Sequence, residues 1–330
     1  TLKYLLDFKQ DFRILIADSS VEPVSPEVEG LIKNSRLQYY KYAPEEYVFR
    51  KILNTLEKVE TPYVVIWADD DLLAPFFFDK YVAFLEANKD YSVVHGESFG
   101  FQLRDKKPSI AWIYPYPQRS YTNNDISERL LSYFNNYTTT FYSIQRTDNL
   151  RHNMAYCADG SFDYFFIELL LSYLAIIQGK VRKIRSFYML RECFNAQLKN
   201  YKNIDIFERL SSDNFRPQYE KLVLILSSEL SHYAGIDILE ARKIIELAFW
   251  NYASRNFVWI YAKKKCAILE SGKVKRSFAT ATSFCRYIPK LIFLFYKLSK
   301  VVIFSSFMKY RHEYFLLYRA LTLNNEKKNI

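Results

Sequence analysis

Thr61-Pro62-Tyr63-Val64-Val65-Ile66-Trp67-Ala68-Asp69-Asp70-Asp71-Leu72-Leu73-Ala74-Pro75 is the stretch whose reading decides the fold. Thr61-Pro62 is a turn signal. The apolar, β-branched run from Tyr63 to Trp67 then reads as a buried strand bounded by breakers. Three carboxylates stand at its C-terminal end, and Pro75 restarts the chain at the first turn of a helix. Adjacent like charges repel, and a divalent cation resolves the conflict. Mg²⁺ or Mn²⁺ takes hard oxygen ligands, usually one or two carboxylates plus substrate phosphates. Open α/β sheets also bind ligands at the carboxyl ends of their strands. The plainer alternative is an acidic loop that only ends a strand; position and composition favour the metal.

Working outward, Phe12 to Asp18 reads as a strand with an acidic end, followed by Ser19-Ser20. A short helix is expected over Glu27 to Lys33 and a strand over Leu37 to Tyr42. Pro44-Glu45-Glu46 opens a helix whose apolar face is Val48, Ile52, Leu56 and Val59. After the central strand come a helix from Pro75 to Asn88 and a strand from Tyr91 to His95. That alternation predicts an α/β layer architecture with a mostly parallel sheet flanked by helices. Phe99 to Tyr121, with Pro108, Pro115 and Pro117, reads as a substrate loop. Ile126 to Phe134 is helical, Thr138 to Ile144 a strand, Asp159 to Gln178 a long helix ended by Gly179, and Val181 to Leu190 extended. Beyond about residue 203 the pattern is all helical. The expected division is 1–200 as the catalytic α/β domain and 201–330 as a basic, helical C-terminal region.

The 330 residues include 28 Tyr and 27 Phe but only 7 Gly. No glycine-rich phosphate cradle occurs, so nucleotide phosphates would have to be met by metal and side chains. Net charge is divided, −5 over residues 1–165 and +15 over 166–330, and basic regions meet nucleic acid or anionic membrane. Cys157, Cys193, Cys266 and Cys285 have no C-x-x-C spacing and the four His are scattered, which argues against structural zinc and a disulfide framework and fits a reducing cytoplasm. The chain starts without Met inside an expected helix (Leu2, Leu5, Leu6), as a piece of a longer protein would.

These motifs, in this order, resemble those of the GT-A glycosyltransferases of the bacterial family-2 type: Ile16-Ala17-Asp18-Ser19-Ser20, then Ala68-Asp69-Asp70-Asp71, then a helix carrying Glu168 and ended by Gly179. The likeness covers roughly residues 1–195 and lacks the family's first strand. It implies a GT-A-like (Rossmann-like) fold and a nucleotide-diphosphate-sugar donor. Asp18 would contact base or ribose, Asp69 and Asp70 would reach ribose and metal, and Asp71 would lie beside the diphosphate. Asp70 and Asp71 are thus the expected ligands for Mg²⁺ or Mn²⁺, although Ala68 stands where relatives often have Asp. Glu168 would be the catalytic base, with Asp163 as its rival. The family's His after the base helix is missing; Tyr188-Met189-Leu190-Arg191-Glu192 stands there, and Arg191 could neutralise the diphosphate instead. Direct displacement with one base implies inversion.

The apolar neighbours of Glu168 predict partial burial and a raised carboxyl pKa. His95 reads as a strand-end residue rather than a ligand. At the C-terminus, Leu291 to Phe304 is apolar but broken by Lys297 and Lys300. It is too interrupted to span a bilayer and fits either an interfacial amphipathic helix or a core helix with a solvated lysine face. The interfacial reading would place the protein in the cytoplasm at the inner face of an anionic membrane. There a glycan or lipid-linked acceptor of surface polysaccharide synthesis would be at hand. A nucleotidyltransferase or a non-catalytic membrane-associated module are the alternatives. No nucleic-acid module is recognisable, so no nucleic-acid partner is expected.

Overall fold

A computed structural model describes residues 2–69, 71–104, 107–192 and 206–270. The chain begins with α1 (Leu2–Leu6), β1 (Ile14–Asp18), α2 (Pro26–Ile32) and β2 (Leu37–Lys41). α2 is capped by Ser25, whose hydroxyl accepts from the Val28 amide, with Pro26 in the first turn, where its missing N–H costs nothing. α3 (Val48–Leu56) follows and buries Phe49 and Leu56. Next come β3 (Tyr63–Val64), β4 (Leu72–Leu73), a 3₁₀ turn at Pro75–Phe77, α4 (Phe78–Ala87), β5 (Tyr91–Arg104) and β6 (Lys107–Pro115). α5 (Ile126–Phe134), β7 (Ile144–Arg146), α6 (Thr147–Ala155), α7 (Tyr164–Gln178) and β8 (Lys180–Glu192) complete the α/β part. α8 (Ile206–Leu210), α9 (Phe215–Ala234) and α10 (Ile238–Glu270) form the helical C-terminal region.

The class is α/β with helices flanking the sheet, but strand pairing is mixed where a mostly parallel sheet was expected. β1 and β2 form a separate two-stranded parallel sheet. The larger sheet runs β3-β7-β5-β8-β4, with β6 added to β5. Among the described strands of this larger sheet only β5 and β8 pair in parallel; β3–β7, β7–β5, β5–β6 and β8–β4 are antiparallel. Helical crossovers make parallel neighbours, and here α5, α6 and α7 all intervene between β5 and β8, whereas β5 and β6 meet as a hairpin.

Three local expectations are corrected. The Tyr63–Trp67 strand is only two residues long, since the short β7 pairs with it only at Tyr63 and Val64. The expected substrate loop from Phe99 is instead the β5–β6 hairpin; Pro108 and Pro115 lie at the ends of β6, which pairs only with β5, and an edge strand tolerates proline there. The Thr138–Ile144 strand shrinks to Ile144–Arg146. Its Thr-rich part is turned by local hydrogen bonds: the Phe141 amide donates to Thr139 Oγ1, and the Ser143 amide to the Thr140 carbonyl, as short polar side chains commonly allow. The helix at Thr147–Ala155 was not foreseen.

Both faces of the large sheet are covered. Val93 and Val94, adjacent in β5, point opposite ways: Val93 joins the core around α5, α6 and α7, while Val94 packs with Tyr81 and Leu85 of α4, Tyr188 and Met189. α7 is apolar nearly all round because it is the hub of its core. Leu222, Leu226 and Leu230 of α9 and Ile245 and Phe249 of α10 pack into the same cluster. Its C-terminal carbonyls are not left bare, since buried Arg129 donates to the Ile176 and Ile177 oxygens. Among the described residues no single helix is long and apolar enough to cross a membrane. α9 and the first part of α10 reach such a composition only together, and they fold back at 119°.

Gly96 lies where β5, β8 and α4 meet. A Cβ there would stand 2.5 Å from the Ser186 carbonyl and 2.7 Å from Tyr188 Cβ, and would strike the Tyr81 hydroxyl. Gly96→Ala is therefore expected to cost about 1–3 kcal/mol, read as a lowered urea midpoint; an unchanged midpoint would show that the strands do not approach so closely.

Candidate functional site

The site grows from a short pairing. Antiparallel to β8, Leu72 stands opposite Leu190 and Leu73 opposite Met189. One step further along the same register places Asp71 opposite Arg191. Leu72 and Leu190 are buried together in an apolar cluster with Phe99 and Phe187, and that packing holds the two charged residues side by side. Arg191 Nε stands 3.9 Å from Asp71 Oδ2, an ion-pair distance rather than that of a close hydrogen bond. Asp71 is 2 % exposed, so its charge depends on a counter-charge.

Aromatic rings frame the guanidinium. Its carbon lies 4.9 Å from the Tyr142 ring centroid and 5.9 Å from that of Tyr116, within cation–π range. Burial works against the Arg191 charge, but Tyr116, Tyr142, Asp71 and Glu168 together hold its pKa above the ordinary value. The structure thus gathers four segments around Arg191: the loop after β6, the turn before β7, the Asp cluster and α7. Tyr116 and Tyr142 were missed in the sequence, where nothing separates them from the other Tyr.

Glu168 is exposed, which corrects the burial expected from its neighbours. Composition described α7 as a whole, but Tyr164 and Glu168, one turn apart, share its exposed stripe. The Tyr137 hydroxyl donates to Glu168 Oε1 at 2.9 Å. Burial, with the Glu168 charge added, pushes the Tyr137 pKa well up, so at neutral pH this hydroxyl remains a donor.

The rival carboxylate is otherwise engaged. Asp163 stands before α7 as its N-cap, accepting from the Phe166 amide at 3.0 Å. Its other oxygen pairs with Arg209 at 2.8 Å. Asp69 is exposed in the turn that precedes β4. Asp70 lies outside the described residues, as does the Leu291 to Phe304 stretch. His95 is not at a strand end: it is buried within β5, and burial, with the Lys183 charge contributing, pushes its imidazole pKa down to about 4, leaving it neutral at neutral pH.

Asp18 ends β1 in the smaller sheet, and no contact among the described residues joins it to Asp71, Arg191 or Glu168. Its Oδ2 accepts from the Tyr39 hydroxyl at 2.5 Å and from Lys41 Nζ at 3.0 Å, and its Oδ1 from the Ser20 amide at 2.7 Å. Burial alone would raise its pKa, but these hydrogen bonds, Tyr39 foremost, hold it well below the usual carboxylate range.

Carboxylate oxygens are the hard donors that Mg²⁺ and Mn²⁺ take, so Asp71 is of the right kind. Among the described residues no group of three His, Cys, Asp or Glu side chains forms a complete metal cage.

No sequence-family profile and no curated protein matches the chain. Among solved structures it is similar to residues 1–349 of TarS from S. aureus, at 13 % identity and a TM-score of 0.44, over 79 % of this chain and 86 % of that one. The same fragment in complex with UDP gives 12 % and 0.43 over the same shares. A longer TarS structure gives 13 % and 0.43, over 76 % of this chain and 51 % of that one. At these values the likeness carries no functional weight.

The Asp18 network makes a pH prediction. A depressed folded pKa contributes stability that is complete above the unfolded value, about pH 4, and is lost as pH falls through the folded value. Tyr39→Phe is expected to cost about 1 kcal/mol at pH 7 and to flatten the fall in melting temperature below about pH 4. An acid limb identical to wild type would show that Tyr39 does not hold the carboxylate.

Proposed function

We propose that this protein is a glycosyltransferase that moves a sugar from a nucleotide-diphosphate-sugar donor to an acceptor hydroxyl. The observation that carries this reading is the β4–β8 register, which sets the buried Asp71 beside Arg191 at the end of the Asp cluster. An acidic metal ligand and a fixed guanidinium on one spot suit a diphosphate, whose charge grows as it leaves. Bound Mg²⁺ or Mn²⁺, held by Asp70 and Asp71 with phosphate oxygens completing its shell, would supply Lewis-acid neutralisation of that charge.

The chain's own residues would do the rest. Arg191, stacked on Tyr142, meets the leaving phosphate with a planar, permanently charged donor. Asp69, exposed in the turn before β4, would reach the ribose. Glu168 takes the proton of the attacking hydroxyl, with Tyr137 fixing one of its oxygens and leaving the other for the acceptor. Exposure of Glu168 suits an acceptor that arrives from solvent or from a membrane surface. One base and one displacement give inversion at the anomeric carbon. A glycan or lipid-linked acceptor, and a place at the inner face of the membrane, complete the proposal.

The test is a thermal-shift panel with Mn²⁺ and UDP, GDP or CMP. One nucleotide is expected to raise the melting temperature by roughly 2–4 °C at saturation, with the shift lost on chelation and in Asp71→Asn. Glu168→Gln should keep that shift yet lower transfer by about 10²–10⁴-fold. A well-folded protein that shifts with none of the nucleotides, or a Glu168→Gln variant of full activity, would contradict the assignment.

A further inference from the structure

We propose that a second, basic cleft between α4 and β8 binds a phosphate-bearing ligand. The cleft has a volume of about 620 Å³ and is lined by Lys80, Phe84, Ser120, Arg182, Lys183, Ile184 and Arg185. That volume is within the usual range for small-molecule sites. Four cations are among its lining residues, Lys80 on α4 and the other three on β8.

None of the four forms a salt bridge among the described residues. Arg182, Lys80 and Arg185 are exposed, and Arg182 lies 5.9 Å from the Phe84 ring centroid. Lys183 is half-buried; burial lowers its pKa, Arg185 lowers it further, and only Glu97 acts the other way. A half-buried ammonium crowded by another cation is a cost that an anion would remove. Its amide is fixed by a 2.9 Å hydrogen bond to Ser120 Oγ. Arginine forks and a lysine point charge together suit phosphate oxygens.

Charged residues also guard open strand edges against pairing, and β4 covers β8 only at Met189 and Leu190. Edge guarding accounts for Arg182 and Arg185. It does not account for Lys80, which belongs to a helix, or for the half-buried Lys183. The cleft is distinct from the Arg191 site, since Arg185 and Arg191 are separated by six steps of β8, about 20 Å.

The phosphate could be carried by a free phosphorylated ligand or by a lipid headgroup. Calorimetric titration of the full chain with inorganic pyrophosphate addresses the first, and co-sedimentation with phosphatidylglycerol vesicles against phosphatidylcholine vesicles the second. The variants are Arg182→Gln with Arg185→Gln, Lys80→Gln, and Arg191→Gln to remove the other anion site. All are checked for an unchanged melt. Pyrophosphate binding that survives Arg191→Gln but weakens about tenfold or more in the Arg182/Arg185 variant supports a site for free phosphate. Vesicle binding alone, lost in that variant and weakened in Lys80→Gln, supports a headgroup site. Equal binding by wild type and the cleft variants, or no binding of either probe, overturns the proposal and leaves the cations as guards of the β8 edge.

Discussion

The candidate site depends on two residue pairs of antiparallel sheet. Leu72 against Leu190 and Leu73 against Met189 are the whole of β4, yet they decide what the Asp cluster faces. A slip of one residue would turn every side chain of the pairing over. The buried Asp71 would then lose Arg191, and a buried carboxylate without its counter-charge is costly. Apolar packing fixes the register here: Leu72, Leu190, Phe99 and Phe187 share one cluster, while Leu73 and Met189 belong to the cluster beneath α4. The two leucines of β4 thus anchor it to both faces at once.

That anchoring works because β8 is itself held. It runs parallel to β5 along most of its length, with α4 on one face and the α5–α7 core on the other. α7 ends where Gly179 leads into β8, and a Cβ at Gly179 would meet the Ser92 amide at 2.6 Å. The helix that carries Glu168 and the strand that carries Arg191 are therefore joined through a close contact with β5. This is how a carboxylate on a helix and a guanidinium twelve positions beyond Gly179 come within electrostatic reach of each other.

Much of the helical part was legible in the sequence. The apolar stripe of α3 and the apolar run of α7 closed by Gly179 each carry a local signal. Pairing is not local, and there the sequence reading fell short. Nothing in Tyr63–Pro75 distinguishes one long strand from two short ones divided by the Asp turn, because partner strands decide the difference. Prolines 108 and 115 read as loop because a sequence does not say which strand is at an edge. Of the site, the Asp cluster, Glu168 and Arg191 were legible as residues. The register that brings Asp71 to Arg191, the rings of Tyr116 and Tyr142, and the exposure of Glu168 were not, since each depends on chain segments far apart in sequence.

The most direct test of the central claim compares a nucleoside diphosphate with its monophosphate in calorimetric titrations with Mn²⁺, on wild type and Arg191→Gln. If Asp71 and Arg191 together receive a diphosphate, the diphosphate binds about tenfold or more tightly than the monophosphate, and the difference collapses in Arg191→Gln while monophosphate affinity is retained. Equal affinity for both in the wild type, or a preference that survives loss of the guanidinium, would contradict the account.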